Sequence, residues 1–205
     1  EILTRIKDGT SKELVKGIRT EKNKAERQEL KKRLPAICFS GKFNKRNDSS
    51  IIEHSGIICL DFDGYEKKKD LLEAKQKFTE NNHVYSVFLS PSGNGLKVLV
   101  KIPQDEERHV QYFNSLKTYF NSEYFDVTCK NISRVCYESY DPLIHINDTS
   151  SVWDKIEEPE YKEVVRHKDI ATIPITDENK IVDILTKFLI SMRRRTLMHQ
   201  RYQGQ

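Results

Sequence analysis

Two aspartates at the end of an apolar segment are the residues in this sequence best suited to chemistry. Asp61 and Asp63 close a run that reads Ile-Ile-Cys-Leu-Asp-Phe-Asp-Gly over residues 57–64. If this run is a β-strand, alternation puts both carboxylates on the same side of it. Two like charges that close repel unless a cation lies between them, and hard divalent ions such as Mg²⁺ prefer carboxylate oxygens. The pattern predicts a metal site, and a strand-end turn with solvated aspartates is the alternative.

A second segment has the composition of a phosphate-binding turn. It consists of Ser90, Pro91, Ser92, Gly93, Asn94 and Gly95, followed by Leu96 and Lys97. Backbone N–H groups of such a turn can surround a phosphate, the serine hydroxyls add donors, and Lys97 adds positive charge. The Gly-Lys-Ser/Thr ending and the following helix of an ATPase phosphate-binding loop are absent. An ordinary hairpin turn is the alternative interpretation.

A third carboxylate is needed to complete a metal site of the usual kind. Asp126 precedes the segment Ile132–Tyr137 and would join Asp61 and Asp63 if that segment forms a neighbouring strand. Arg134 would then face a phosphate. Asp141 is a competing candidate, although aspartate before proline is first of all typical of a turn.

The spacing of apolar residues predicts the elements that must position these groups. Strands are expected at 57–62, 84–90, 96–102 and 132–137, and helices at 67–80 and 105–121. The order β-α-β-β-α-β is typical of a ferredoxin-like or RRM-like core, in which two helices cover one face of an antiparallel sheet. The expected fold class is therefore α+β, and the other face of the sheet is expected to be free for a site.

The remaining chain is expected to add helices at both ends. Residues 1–150 are interpreted as the catalytic domain, with N-terminal helices at 10–34, outside the sheet, and the core at 56–147. Residues 151–205 are interpreted as a linker and a helical segment, whose amphipathic helix spans about 177–198. Because the first residue is not Met, we interpret the chain as a fragment of a larger polypeptide.

Composition limits the classes of protein that the chain can represent. Of 205 residues, 37% are hydrophobic and 32% charged, and the mean hydropathy is -0.68. No apolar run reaches the roughly 18 residues of a membrane span, and no signal peptide opens the chain, so we expect a cytoplasmic protein. The formal net charge of +4 permits a polyanionic partner. The four scattered cysteines predict reduced thiols and no zinc site.

Taken together, the D-x-D at a strand end, the Ser-Gly-x-Gly turn with a following cation, and the later aspartate resemble the three motifs of the archaeo-eukaryotic primase superfamily. The resemblance is closer to the primase-polymerase branch known as the VirE N-terminal domain family, and it covers residues from about 30 to 147. The segments that carry it are 34–37, 40–43, 55–63, 90–97, 132–134 and 141–142.

The resemblance implies a role for each site residue. Asp61, Asp63 and Asp126 match the metal ligands, and two ions, Mg²⁺ or Mn²⁺, are implied. Ser92 and Lys97 fall where the superfamily binds the incoming triphosphate, and Arg134 matches a triphosphate or template contact. Most of the superfamily has histidine where this chain has Lys97, and lysine supplies charge without the directional imidazole contact.

The implied activity is that of a DNA primase-polymerase, which joins NTP or dNTP units on a single-stranded DNA template and is expected to start primers. Related proteins occur on mobile elements, beside helicase-like domains and in CRISPR systems, which implies a prokaryotic or phage origin and such domains as partners. A primer and nucleotides are the other implied partners. Basic residues expected to contact the nucleic-acid backbone are Lys31, Lys32, Lys42, Lys45 and Arg46.

Two other functions are compatible with parts of the pattern. A non-catalytic module that binds single-stranded nucleic acid could use the same sheet, but RRM strands offer aromatic side chains where these strands offer carboxylates. A metal-dependent nuclease or replication initiator would favour a tyrosine nucleophile or a His-x-His cluster. The six histidines form no such cluster.

Overall fold

The chain forms helices and antiparallel sheets in an α+β fold, which confirms the predicted class. The structure, a computed structural model, describes residues 1–156 together with Val182 and Thr186. In chain order the elements are α1 (Ile2–Asp8), α2 (Lys12–Thr20), α3 (Lys24–Lys32), β1 (Ala36–Ile37), β2 (Gly41–Phe43), a 3-10 helix (Asp48–Ser50), β3 (Ile51–His54), β4 (Ile57–Asp63), α4 (Lys68–Thr79), β5 (Val84–Leu89), β6 (Gly95–Lys101), α5 (His109–Phe120), β7 (Cys136–Tyr137) and β8 (His145–Ile146).

The central sheet contains four antiparallel strands in the order β4, β6, β5, β8. β4 and β6 pair along their whole length, with Asp61 opposite Lys97 and Asp63 opposite Gly95. The first three predicted strands and both predicted helices are present. The largest difference is at the start of α5, which begins at His109 instead of residue 105. The register brings both predicted motifs to the same end of the sheet.

The fourth predicted strand, 132–137, is wrong in position. Only Cys136–Tyr137 is a strand, and it pairs with β1 outside the central sheet. The segment before it is held as a turn, because the Asp48 carboxylate accepts a hydrogen bond from the backbone N–H of Ser133 at 2.9 Å. Ser40 Oγ donates to the carbonyl of Ile132. These bonds satisfy polar backbone groups that a strand would have paired with the sheet.

The free edge of β4 is instead covered by a short extended segment around Phe125. Phe62 and Phe125 form an isolated antiparallel bridge. On either side of it, the N–H of Asp63 donates to the carbonyl of Tyr124, and the N–H of Asp126 donates to that of Asp61, each at 2.8 Å. Asp126 thereby lies beside Asp61, as the sequence predicted, although no regular strand carries it.

The helices α4 and α5 cover one face of the sheet with an aromatic cluster. Phe62 is fully buried there, and its ring lies 4.6 Å from Phe78 and 5.2 Å from Phe125, centroid to centroid. Tilted and edge-to-face pairs such as these are favourable aromatic geometries. Because Phe62 faces the helices, strand alternation turns Asp61 and Asp63 to the opposite face.

That opposite face is only partly free, which corrects the expectation from the sequence. Helix α1, which the sequence did not predict, packs Ile6 against Phe88 and Leu99 of the sheet, and Cys136 of β7 completes this layer. Helices α2 and α3 form a separate small core, in which Val15, Ile18 and Leu34 are buried. The site therefore lies in the space that the N-terminal layer leaves uncovered.

A buried carboxylate joins the first two helices to the strand β7. Glu138 follows β7 and is completely buried. Arg5 donates to both of its oxygens, at 2.8 and 3.0 Å, and Ser11 Oγ donates at 2.8 Å. A bidentate arginine contact of this kind fixes orientation as well as charge. The N-terminal helices are thereby anchored to the element next to the site.

The chain divides into a unit of Glu1–Pro159 and a unit of Glu160–Gln205. The first unit extends past the predicted boundary at residue 150, because Trp153 is buried and its backbone N–H donates to the carbonyl of Lys101 at 2.7 Å. The predicted helix at 177–198 lies outside the described residues, apart from Val182 and Thr186. Among the helices that the structure describes, none is long and apolar enough to cross a membrane.

A pair of buried histidines ties β3 to α5. His54 Nε2 lies 3.1 Å from His109 Nδ1. The N–H of Gly56 donates to His54 Nδ1, so the neutral ring of His54 carries its proton on Nε2 and donates to His109. Desolvation, reinforced by the repulsion that a protonated His54 would exert, lowers the pKa of His109 from 6.5 to about 4. The folded protein therefore favours the neutral pair.

This pair predicts a pH-dependent loss of stability in mild acid. Between pH 6.5 and about 4 the unfolded chain binds a proton at His109 that the folded chain does not, so the free energy of unfolding falls as the pH falls. The full difference corresponds to about 3 kcal/mol. We expect His109→Gln, which keeps an acceptor for His54, to flatten this dependence in urea unfolding measured across that range. Equal slopes for the variant and the parent protein would contradict the assignment.

Candidate functional site

A cleft of about 250 Å³ opens at the end of β4 and β6 where the two motifs meet. Its walls combine two carboxylates with four cationic side chains, a mixture that suits a metal ion together with a polyphosphate better than either alone. The cleft contains eight of the side chains that the sequence predicted as functional. These are Lys31, Arg46, Asp61, Asp63, Ser90, Ser92, Lys97 and Arg134.

Asp61 is the most enclosed acidic group of the cleft. Its side chain is 12% exposed, and Oδ2 contacts Nζ of Lys97, the residue opposite it on β6. Oδ1 is buried and has no hydrogen-bond partner among the described residues. Although burial opposes the charged ammonium, the neighbouring Cys136 and Asp61 raise the pKa of Lys97. Lys97 therefore stays protonated as the counter-ion of Asp61.

Asp126 joins Asp61 at the edge of β4 and brings a thiol with it. One ligand atom each from Asp61, Asp126 and Cys129 lie within 4.8 Å of one another. Cys129 Sγ donates to Asp126 Oδ2 at 3.0 Å, and Thr128 donates to Oδ1 through its N–H and its hydroxyl. Burial opposes the charged carboxylate, but these hydrogen bonds lower the pKa of Asp126.

Asp63 lies at the rim of the cleft, outside the group formed by Asp61, Asp126 and Cys129. Partial desolvation, reinforced by the negative charge of Asp61, raises the pKa of Asp63. Gly95 lies directly opposite on β6. A Cβ atom at Gly95 would clash with Asp63 Oδ1 and lie 2.8 Å from the backbone oxygen of Phe62, so the close approach of β4 to Gly95 requires glycine.

The turn between β5 and β6 contributes only its first part to the cleft. Ser90 and Ser92 line it, and Ser90 Oγ is buried without a hydrogen-bond partner among the described residues. Gly93 has a φ of 78°, and its N–H donates to the carbonyl of Ser90 across this tight turn. Asn94 points its carbonyl to the N–H of Tyr65 and does not line the cleft.

The predicted nucleic-acid-binding cations divide into two groups. Lys31 and Arg46 line the cleft. Desolvation lowers the pKa of Lys31 even though the nearby negative charge of Asp63 opposes this change. Lys32 and Lys42 lie outside the cleft and form exposed ion pairs with Glu29 and Glu53, each at 2.6 Å. Lys45 is exposed and likewise does not line it.

The competing carboxylate, Asp141, has a different role. It is buried, and its Oδ2 accepts hydrogen bonds from Lys75 Nζ at 2.5 Å and from the N–H of Leu89 at 2.9 Å. Its Oδ1 accepts from the N–H of Leu143 at 3.0 Å. Because both oxygens are used in linking α4, β5 and the following turn, Asp141 is a structural group and not the third carboxylate of the cleft.

A larger depression of about 500 Å³ lies between the ends of α4 and α5, and it does not share this chemistry. Its charged side chains are Asp70, Glu73, Lys77 and Glu123. With three acids and one cation it is poorly suited to a polyanion. We therefore assign the candidate site to the smaller cleft.

Sequence reasoning missed two residues that the structure brings to the site. Cys129 was interpreted only as a reduced thiol, although a cysteine three positions after Asp126 is a spacing that could have indicated a pair of metal ligands. Burial and the hydrogen bond with Asp126 raise the pKa of Cys129 to about 12. Arg19 carries no signal in the sequence, because its role depends on a contact with residues more than 70 positions away.

Arg19, from α2, holds the turn between β5 and β6 in place. Its Nη2 donates to the carbonyls of Ser90 at 3.1 Å and Tyr140 at 2.9 Å. Its aliphatic stem lies against Gly93, where an added Cβ would meet Arg19 Cδ at 3.2 Å. One guanidinium therefore connects the N-terminal layer, the β5–β6 turn and the segment after β7.

Comparison with known proteins gives one positive finding. A family model described as BT4734-like, N-terminal domain, matches residues 29–145, which is more than half of the chain. The match includes every predicted site residue and leaves out α1, α2 and Arg19. No curated protein and no solved structure matches the chain.

The contacts of Arg19 predict a local change in dynamics. Arg19→Met keeps the apolar stem against Gly93 but removes both hydrogen bonds to carbonyls. We expect the fold to persist while amide hydrogen exchange accelerates at residues 90–95, by about 10-fold for a loss of roughly 1.4 kcal/mol in local stability. Arg33→Met, at an exposed position, is the matched control and should leave exchange there unchanged. Unaltered exchange in Arg19→Met would refute the positioning role.

Proposed function

The chain belongs to the BT4734-like N-terminal domain family, and we propose that it is a nucleotidyltransferase, specifically a DNA primase-polymerase. The observation that carries the proposal is the cleft in which Asp61 and Asp63 face four cations and a serine-bearing turn. A template-directed polymerase needs this combination, because it must hold divalent ions and a triphosphate in contact with each other.

The acidic side of the cleft fits divalent ions. Asp61 has a buried oxygen with no partner among the described residues, and Asp126 lies beside it. Such oxygens suit Mg²⁺ or Mn²⁺, and Asp63, which also lines the cleft, is a further carboxylate for a second ion. When bound, the two ions would activate a 3′-hydroxyl and stabilise the leaving diphosphate. Asp61 and Asp126 would hold these ions at the edge of β4.

The cationic side of the cleft fits a triphosphate. Lys31, Arg46 and Arg134 reach it from three separate parts of the chain, and Ser90 Oγ has no other partner among the described residues. Lysine and arginine donors give strong charge-assisted bonds to phosphate, and several around one cleft favour a polyphosphate over a single carboxylate. We assign nucleotide binding to these groups together with Ser92 and Lys97.

The topology supports the more specific part of the fold hypothesis. We propose that the sheet is related to the RRM-like core that primases use. The order β4, β6, β5, with α4 and α5 on one face, agrees with three strands of that arrangement, and the segment 124–126 takes the edge beside β4 where its fourth strand would lie. The short strand β8 at the other edge departs from it.

The partners follow from the proposed activity and are part of the same proposal. Single-stranded DNA and a primer end would approach the open side of the cleft. Lys32, Lys42 and Lys45 are exposed outside the cleft, and we propose that they contact the nucleic-acid backbone. Helicase-like or CRISPR-related domains in the same polypeptide, and a cytoplasmic location in a prokaryote or its mobile elements, rest on the primase resemblance.

The proposed function predicts metal-dependent synthesis. The chain should extend or start oligonucleotides on single-stranded DNA with labelled NTP or dNTP and Mn²⁺ or Mg²⁺, and Asp61→Asn/Asp63→Asn should lower product formation by at least about 100-fold, since several kcal/mol of charge stabilisation is lost. Asp126→Asn is a second variant, in which the ion pair of Lys97 with Asp61 stays intact.

The matched control is Asp70→Asn, an exposed carboxylate on α4 that lies outside the cleft, and it should retain synthesis. Synthesis without a primer would define the protein as a primase. If no nucleotide or metal gives product while single strands still bind, the catalytic proposal fails and the binding-module alternative takes its place.

The cationic wall predicts nucleotide affinity independently of catalysis. Lys31→Ala and Arg46→Ala should each raise the Kd for a nucleoside triphosphate by about 10-fold or more, because a hydrogen bond to a charged group contributes roughly 1.5 kcal/mol or more. Lys42→Ala removes a cation that is paired with Glu53 outside the cleft and should leave the Kd unchanged. Isothermal titration calorimetry compares the three, and equal effects would place the nucleotide elsewhere.

A further inference from the structure

The group formed by Asp61, Asp126 and Cys129 has an unusual donor set for a magnesium site. Two of its atoms are carboxylate oxygens and the third is a thiol sulfur, all within 4.8 Å of one another. Cys129 Sγ is 3.0 Å from Asp126 Oδ2 and 3.9 Å from Asp61 Oδ2. The spacing is short enough for one ion to reach all three after small side-chain adjustments.

The hydrogen bonding of Asp61 itself also points to a ligand beside this carboxylate. Asp61 is 9% exposed, and its Oδ1 is buried without a hydrogen-bond partner among the described residues. A buried carboxylate oxygen without a donor is costly, and such groups in proteins ordinarily serve a function. A cation coordinated by Oδ1 would remove that cost.

The sulfur is also presented as an acceptor. Arg134 directs Nε and Nη2 at Cys129 Sγ, at 3.2 and 2.9 Å. The sulfur thus accepts from the guanidinium while its own S–H donates to Asp126, and the guanidinium would stabilise the negative charge that the sulfur gains when an ion displaces its proton. The same guanidinium lies 3.7 Å from Asp126 and would offset the charge of two carboxylates and a thiolate around one divalent ion.

We propose that Cys129 is a ligand of the divalent ion held by Asp61 and Asp126, and that this position selects a first-row transition-metal ion such as Mn²⁺, Co²⁺ or Zn²⁺ over Mg²⁺. On binding, the S–H bond breaks, the proton leaves to solvent and sulfur donates its electron pair to the ion, with no change of oxidation state. Thiolate donors favour softer ions, whereas Mg²⁺ requires oxygen ligands in a strict octahedron. The proposal names the metal of the proposed nucleotidyltransferase and rests on that function for its role.

Metal binding to the full chain tests the proposal without any measurement of synthesis. Addition of Co²⁺ or Cd²⁺ should produce a thiolate-to-metal charge-transfer absorption band. Cys129→Ser should abolish the band and weaken Mn²⁺ and Co²⁺ binding by roughly 10-fold to 100-fold, while Mg²⁺ binding changes little. Mn²⁺, but not an equal concentration of Mg²⁺, should displace Co²⁺ from the parent protein.

The neighbouring cysteines supply matched controls. Cys59 and Cys136 line the same small pocket as Cys129, and neither belongs to the group of three ligand atoms. Cys59→Ser and Cys136→Ser should therefore keep the band. Asp126→Asn should weaken every ion, since it removes an oxygen ligand common to all of them.

The failures of the two proposals are distinguishable. The cysteine proposal is overturned if Mn²⁺ and Mg²⁺ bind equally well through Asp126 and added Co²⁺ or Cd²⁺ gives no thiolate band. The two-metal nucleotidyltransferase proposal would stand in that case. A band that persists in Cys129→Ser also overturns the cysteine proposal. A band that depends on Cys129 in a protein without synthetic activity would support the metal site and refute the proposed function.

Discussion

The negative charge held at the free edge of β4 is the constraint on which the surrounding structure depends. Asp61 and Asp126 are brought side by side by backbone hydrogen bonds flanking the Phe62–Phe125 bridge. Carboxylates so close together in a partly buried place are unfavourable unless cations compensate them. Lys97 and Arg134 provide that compensation from β6 and from the segment before β7. Aromatic packing beneath β4 fixes the positions of the carboxylates, and their negative charge in turn requires cations nearby.

The N-terminal helices are part of this arrangement even though the family match begins after the first two of them. Arg5 compensates the buried Glu138 at the end of β7, and Arg19 fixes the carbonyl of Ser90 at the start of the turn. Both contacts join sequence-distant segments through a guanidinium that donates more than one hydrogen bond. The N-terminal helices therefore support the side of the cleft that the central sheet does not form.

Local patterns predicted the parts of the fold that local forces decide. The apolar run before Asp61 gave the strand, its alternation gave the common side of Asp61 and Asp63, and the periodic helices α4 and α5 were found with small errors at their ends. The prediction of a strand at 132–137 was wrong because side chains 85 and 92 positions earlier satisfy backbone groups of this segment. Such long-range polar contacts leave no periodic signal in the sequence.

The same limit explains which site residues could be predicted. Asp126 was placed correctly beside Asp61, but through an isolated bridge and not through the strand that was expected to carry it. Arg19 and Cys129 could not be assigned roles, because the first acts across the fold and the second gains its meaning only beside Asp61. Lys31 and Lys32 are adjacent in sequence, yet helix geometry sends only Lys31 to the cleft.

Lys97 links the two halves of the proposed site through its register with Asp61. In the protein alone its ammonium neutralises the carboxylate. A divalent ion bound at Asp61 would take over that neutralisation and leave a buried ammonium without a counter-ion, and a phosphate beside Ser90 and Ser92 would supply one. Each ligand would thus restore the charge balance that the other disturbs, which would be positive coupling between metal and triphosphate. Histidine, which most of the resembled superfamily has at this position, is largely neutral near pH 7 and would not impose this coupling. In the proposed site, lysine would therefore change how the two ligands bind together, and would do more than replace one phosphate contact with another.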